Sequence, residues 1–94
     1  MSKMLRLLSY DITDSKRRRR LVKVMEGNAR RVQYSVFETF MTEVELSALV
    51  SKTLPFVNTA EGDSLLVYRI CGSCAKQRRA WGHLTIDWEE AIVV

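Results

Sequence analysis

Apolar positions in this chain fall into short runs whose spacing switches between strand-like and helical. Met4 to Tyr10, "MLRLLSY", is a mostly apolar run closed by Asp11, the length of a first strand with much of both faces covered. Asp14 or Ser15 offers an N-cap, and Leu21, Val22, Val24 and Met25 form an apolar stripe at helical spacing between Lys16 and Glu26, with Gly27 and Asn28 as the stop. That predicts helix one. "RVQYSVFETF", Arg31 to Phe40, alternates with Val32, Tyr34, Val36 and Phe40 on one side, and reads as a single second strand.

Thr42 with Glu45 reads as a capping box, and Leu46, Leu49, Val50 and Thr53 follow at spacings of three and four. Helix two should end near Leu54, because Pro55 disfavours helical geometry in the residue before it. After the turn-rich "NTAEGD", the run "SLLVYRI" from Ser64 to Ile70 predicts strand three. Beyond it, "RRAWG" suggests a short fourth strand, "HLTIDWEE" a connection, and "AIVV" an apolar fifth strand that must dock somewhere, with a second subunit as the natural host. Periodicity therefore gives α+β or α/β with one sheet and leaves the topology open.

Composition narrows this to one ordered domain, since 94 residues with one proline and four glycines leave little room for a long disordered region. Charge changes the picture more. Residues 1 to 31 hold ten basic groups against three acids, and the excess is sharpest in the five consecutive basic residues Lys16 to Arg20. Such asymmetry predicts a polyanion at one end of the molecule, nucleic acid being the usual one; a merely solvated basic face is the alternative. No run approaches the roughly eighteen apolar residues of a membrane span, and no signal region opens the chain, so a cytoplasmic protein that does not meet a membrane is expected. Two cysteines fit a reducing compartment.

Candidate chemistry begins where strand one runs out. Asp11 sits at that end, where a side chain can leave the core while its backbone stays rigid. One carboxylate is a poor magnesium site, but two copies of Asp11 meeting at the axis of a dimer would supply the missing ligand. Asp14 reads better as a helix cap. In a helical Lys16 to Arg20 the side chains cover most of the circumference, so Arg17 and Arg18 should flank the buried edge while Arg19 and Arg20 stay freer for phosphate. Cys71 and Cys74 make one CxxC, and only His83 could add a zinc ligand within the chain. A thioredoxin-like role lacks the rest of its βαβ pattern, so buried or half-buried thiols are expected.

"SYDITDSKRRRRL" at residues 9 to 21, "RRVQYSVFE" at 30 to 38 and "DSLLVYRICGSC" at 63 to 74 resemble, in order and spacing, the small CRISPR-associated Cas-two family, over about Leu5 to Gly82. The resemblance implies a ferredoxin-like βαββαβ domain over residues 1–82, with 83–94 an extension whose strand adds to the partner's sheet in a homodimer with facing sheets. It further implies Asp11 as the catalytic, magnesium-binding acid with Tyr10 beside it, Arg18, Arg20 and Arg31 facing phosphates, and Ser35 and Phe37 near the dimer cleft.

Two functions follow from it. One is a spacer-acquisition scaffold that binds double-stranded DNA between copies of an integrase partner and cleaves phosphodiesters with magnesium as a further activity. The other is primarily a metal-dependent endonuclease on RNA, including single-stranded RNA, or on DNA. A third reading, an RNA-recognition module on the same general fold, lacks its glycine-bearing strand motif, since "VQYSVFETF" has no glycine.

Overall fold

The computed structural model describes residues 3–82. Strand β1 (Met4–Asp11) leads through a short loop into helix α1 (Ser15–Glu26), then to strands β2 (Arg30–Gln33) and β3 (Val36–Met41), helix α2 (Glu43–Thr53), strand β4 (Ser64–Ile70) and the single turn α3 (Gly72–Ala75). The sheet order is β2-β3-β1-β4, and every neighbouring pair is antiparallel. With two helices on one face, this is the ferredoxin-like βαββαβ layout. The order of strands also answers the topology that periodicity left open.

The helices form where their caps and stripes predict. Asp14 accepts the N–H of Arg17 at 2.9 Å and starts α1, whose Leu21 and Met25 are fully buried. Thr42 and Glu45 complete the capping box of α2, and Leu46, Leu49 and Thr53 form its inner edge. These side chains close over Leu8 and Tyr10 of β1 and over Phe37 and Met41 of β3 in one apolar cluster, joined by Ile12. Burying a side chain the size of Leu or Phe contributes about 1.5–3 kcal/mol, so this cluster is what drives the chain to fold.

The single strand expected over Arg31 to Phe40 is two strands, broken by a turn at Tyr34 and Ser35. The turn contains no glycine, asparagine or proline, and no non-glycine residue of the described chain has positive φ, so the usual local punctuation is absent. Tertiary bonds hold the turn instead. The Tyr34 carbonyl accepts from the Tyr10 hydroxyl at 3.2 Å and from Arg31 Nε at 3.0 Å, while the Tyr10 N–H donates to the Ser35 carbonyl at 3.2 Å. A register shift between Arg31 and Gln33 absorbs the odd residue.

"RRAWG" is not a strand. The chain leaves the sheet at Ile70, makes α3, and continues irregularly through Gly82, whose φ is 84°. Arg78 folds back, donating to the Ala75 carbonyl at 2.9 Å and to Glu38 at 3.1 Å, and its guanidinium lies over the Phe40 ring. Arg78 thereby ties this segment to β3. The expected connection "HLTIDWEE" and strand "AIVV" lie outside the described residues, as does His83.

Candidate nucleic-acid and metal site

Along β1 the side chains alternate, so Tyr10 enters the core while Asp11 next to it is exposed on the face of the sheet away from the helices. Ile12 is buried again. Asp11 is therefore held between two anchored neighbours, opposite Ser64 of β4 in the register, and its carboxylate makes no hydrogen bond or ion pair among the described residues. No group of three or more His, Cys, Asp or Glu side chains suited to a metal occurs among the described residues. Among the described residues Asp11 thus stands as a single carboxylate, which suits magnesium only when a second copy or a substrate phosphate adds oxygens.

The loop that follows is fixed by an acid that no sequence pattern singles out. Asp63, 5% exposed, accepts the Thr13 N–H at 2.9 Å and the Thr13 hydroxyl at 3.0 Å on one oxygen. Its other oxygen accepts the Asn58 N–H at 2.9 Å and Arg17 Nε and Nη2 at 3.2 and 2.9 Å. The Thr13 N–H bond foremost, then those of Asn58 and Arg17, outweigh burial and hold the Asp63 carboxyl far below the ordinary range. Two of its three partners, Arg17 and Thr13, lie 46 and 50 residues away in sequence, a separation no local pattern reports.

This clamp decides which basic groups remain available. Arg17 is occupied by Asp63 and by Glu61 at 3.4 Å. Arg18, half-buried, donates through Nη1 to the Ile12 carbonyl at 2.9 Å and so braces the loop after Asp11. Arg31 bonds the Tyr10 hydroxyl at 3.2 Å and the Tyr34 carbonyl, and stacks over the Tyr34 and Phe37 rings. Arg19 and Arg20 are exposed, and their guanidinium groups carry no hydrogen bond or salt bridge among the described residues.

The expected site residues thus divide. Asp11 and Arg20 are open to solvent and Arg18 is partly so, whereas Tyr10 is 4% exposed with its hydroxyl bonded inside the protein. Phe37 is fully buried beneath the helices and Ser35 is half-buried in the β2–β3 turn. Glu38 is 8% exposed on the open side of the sheet; burial pushes its carboxyl up, against the pull of Arg78 and Arg30. The cysteines also differ from expectation. Both are free and exposed, Cys71 as the residue before α3 and Cys74 within it, while Ala75 is the residue of that turn that is buried.

Comparison with known proteins gives this geometry a context. A CRISPR-associated endoribonuclease Cas2 of Chloroflexus aurantiacus is 39% identical over 74 residues, covering 79% of this chain and 80% of that protein. The crystal structure of a hypothetical protein from Thermus thermophilus matches with a TM-score of 0.77 at 30% identity, covering 89% of this chain and 96% of the other. A chain of a partial Cas6-RT-Cas1–Cas2 complex shares the fold, with a TM-score of 0.66 at 24% identity over 80% of this chain and 87% of that one. The family model of CRISPR associated protein Cas2 matches residues 4–78, and the chain belongs to that family.

Proposed function

We propose that this chain acts in CRISPR adaptation as a nucleic-acid-binding homodimer that holds double-stranded DNA between copies of an integrase partner, with magnesium-dependent phosphodiester hydrolysis as a further activity of the same site. The reading is carried by one observation: an exposed Asp11, held rigid between buried Tyr10 and Ile12, lies one loop from a helix bearing Arg19 and Arg20, and none of the three side chains is bonded among the described residues. Guanidinium groups bind phosphate in two-pronged fashion without reading bases, which suits a scaffold.

A second copy has a surface to occupy. The open face of the sheet exposes Phe40, Leu66 and Tyr68, each 45–54% accessible, on the same side as Asp11. Pairing there would bring further carboxylate oxygens to the metal, Asp11 of each copy being the ligand this chain provides. Magnesium held so would lower the pKa of a bound water and neutralise charge on the scissile phosphate. The chain's own contribution is positional: Arg18 and the Asp63 clamp fix the loop, and the free arginines hold the backbone of the nucleic acid.

The names of curated relatives favour a second reading, in which endoribonuclease activity is the main role. Asp11→Ala separates the two when assayed for magnesium-dependent cleavage of single-stranded RNA and duplex DNA and for spacer acquisition with the integrase partner. Lost cleavage with retained acquisition is the expected result. Acquisition lost along with cleavage, with duplex binding intact, would assign the biological role to hydrolysis.

A further inference from the structure

One pair of groups takes no part in the core, the clamp or the arginine face: the two thiols of "CGSC". Cys71 is the last residue before α3 and Cys74 lies inside that turn, three residues on, so both side chains share one face of it. Both are free and exposed. The surroundings of the two sulfurs are unequal. The Cys71 sulfur lies 3.4 Å from the Ser73 hydroxyl, and the two thiols act on each other in opposite senses, Cys74 lowering Cys71 and Cys71 raising Cys74.

We propose that Cys71 and Cys74 form a thiol–disulfide exchange site, with Cys71 the attacking sulfur and Cys74 the resolving one, acting on low-molecular-weight disulfides of the glutathione type. The Cys71 thiolate attacks one sulfur of the disulfide, forming a mixed disulfide and expelling one thiolate. Cys74, losing its proton to solvent, then attacks the Cys71 sulfur and expels the second thiolate. Two protein thiols are oxidised to one disulfide and one small disulfide is reduced to two thiols, and excess thiol reverses both steps.

The Ser73 hydroxyl, 3.4 Å from the Cys71 sulfur, can donate to it and stabilise its negative charge, and the pair divides accordingly. Hydrogen bonds from Ser73 and then Cys74 bring the Cys71 thiol down to about 7, while the bond to Cys71 pushes Cys74 up. A thiol near 7 is about half ionised at neutral pH against a few per cent for a free cysteine, and the partial loss of nucleophilicity leaves an advantage of about threefold. Zinc is the competing use of such a pair, but no third ligand joins the two sulfurs among the described residues.

The test treats the full chain with oxidised glutathione at neutral pH and follows it by intact mass and peptide mapping. The wild type should end as an intramolecular Cys71–Cys74 disulfide, Cys74→Ser should accumulate a mixed disulfide on Cys71, and Cys71→Ser should react at least about threefold more slowly. Limited alkylation of the unmodified protein should label Cys71 first, a readout that needs no variant. Equal labelling of the two cysteines, or a wild type that stops at mixed disulfides or cross-links between chains, would overturn the assignment.

Discussion

The two faces of the sheet are built from the same strands and do opposite things. Toward the helices, Leu8, Phe37, Leu21, Met25 and Leu49 are essentially shut off from water. On the far side Leu66 and Tyr68 remain more than half accessible, and Asp11 projects there without a partner among the described residues. A chain that keeps large apolar groups and a carboxylate together on one open face has satisfied its own folding elsewhere. Stability therefore rests mainly on the closed face, and substitutions should sort by face.

The largest effect belongs to the closed face. Phe37→Ala removes a fully buried ring at the centre of the cluster and should destabilise the fold by about 3–5 kcal/mol in denaturant titration. A small loss would mean that Phe37 is not the keystone its burial makes it.

Next comes the Asp63 clamp, which ties the loop after Asp11 to the start of β4. In Asp63→Asn one oxygen becomes an NH₂ facing donors from Thr13, Asn58 or Arg17, so bonds are lost and donors collide. We expect Tm to fall by on the order of 10 °C. The pH dependence has a definite sign. A carboxyl lowered by folding stabilises fully above its unfolded pKa of about 3.9 and loses that contribution as pH falls below it. Asp14 and Glu45, both held low chiefly by backbone N–H bonds, act in the same direction. Glu38, raised by burial, acts oppositely, since acid relieves its cost. Three lowered groups outweigh one raised, so stability should decline below about pH 4, and Asp63→Asn should flatten that decline.

The open face should respond in association instead. Tyr68→Ser leaves the closed cluster untouched, so thermal melting of the isolated chain should change little. If a second copy covers this face, losing a central aromatic should weaken self-association about tenfold or more in sedimentation experiments. Unchanged association would remove this face from the dimer.

How much of this the sequence disclosed follows the range of the interactions. Caps, stripes and Pro55 are local, and both long helices start and stop where those signals place them. Strand β4 coincides with "SLLVYRI" because a β-branched and aromatic run and its flanking turn residues agree. The Tyr34–Ser35 turn was hidden because what holds it, the Tyr10 hydroxyl and the Arg31 guanidinium, acts through space on a stretch that alternates like one strand. Asp63 was hidden for the same reason, and with it the assignment of Arg17 to structure. Asp11 was legible because the end of an apolar run is itself a positional signal.

Asp11→Ala should have the smallest effect on the fold and so divides the faces most sharply. The carboxylate is exposed, makes no hydrogen bond among the described residues, and ends a strand whose neighbours Tyr10 and Ile12 are buried independently of it. Removing it deletes no packing and orphans no donor, so Tm should stay within about 1 °C, as for surface positions away from caps and networks. Duplex affinity should hold or rise slightly, since a negative charge near phosphate is lost, while the slope of log affinity against log salt stays set by the arginines. Arg20→Ala, by contrast, should reduce that slope by about 0.9 at equal stability. A marked Tm loss in Asp11→Ala would show that the acid supports the fold, and cleavage defects in the variant would then say nothing about a metal site.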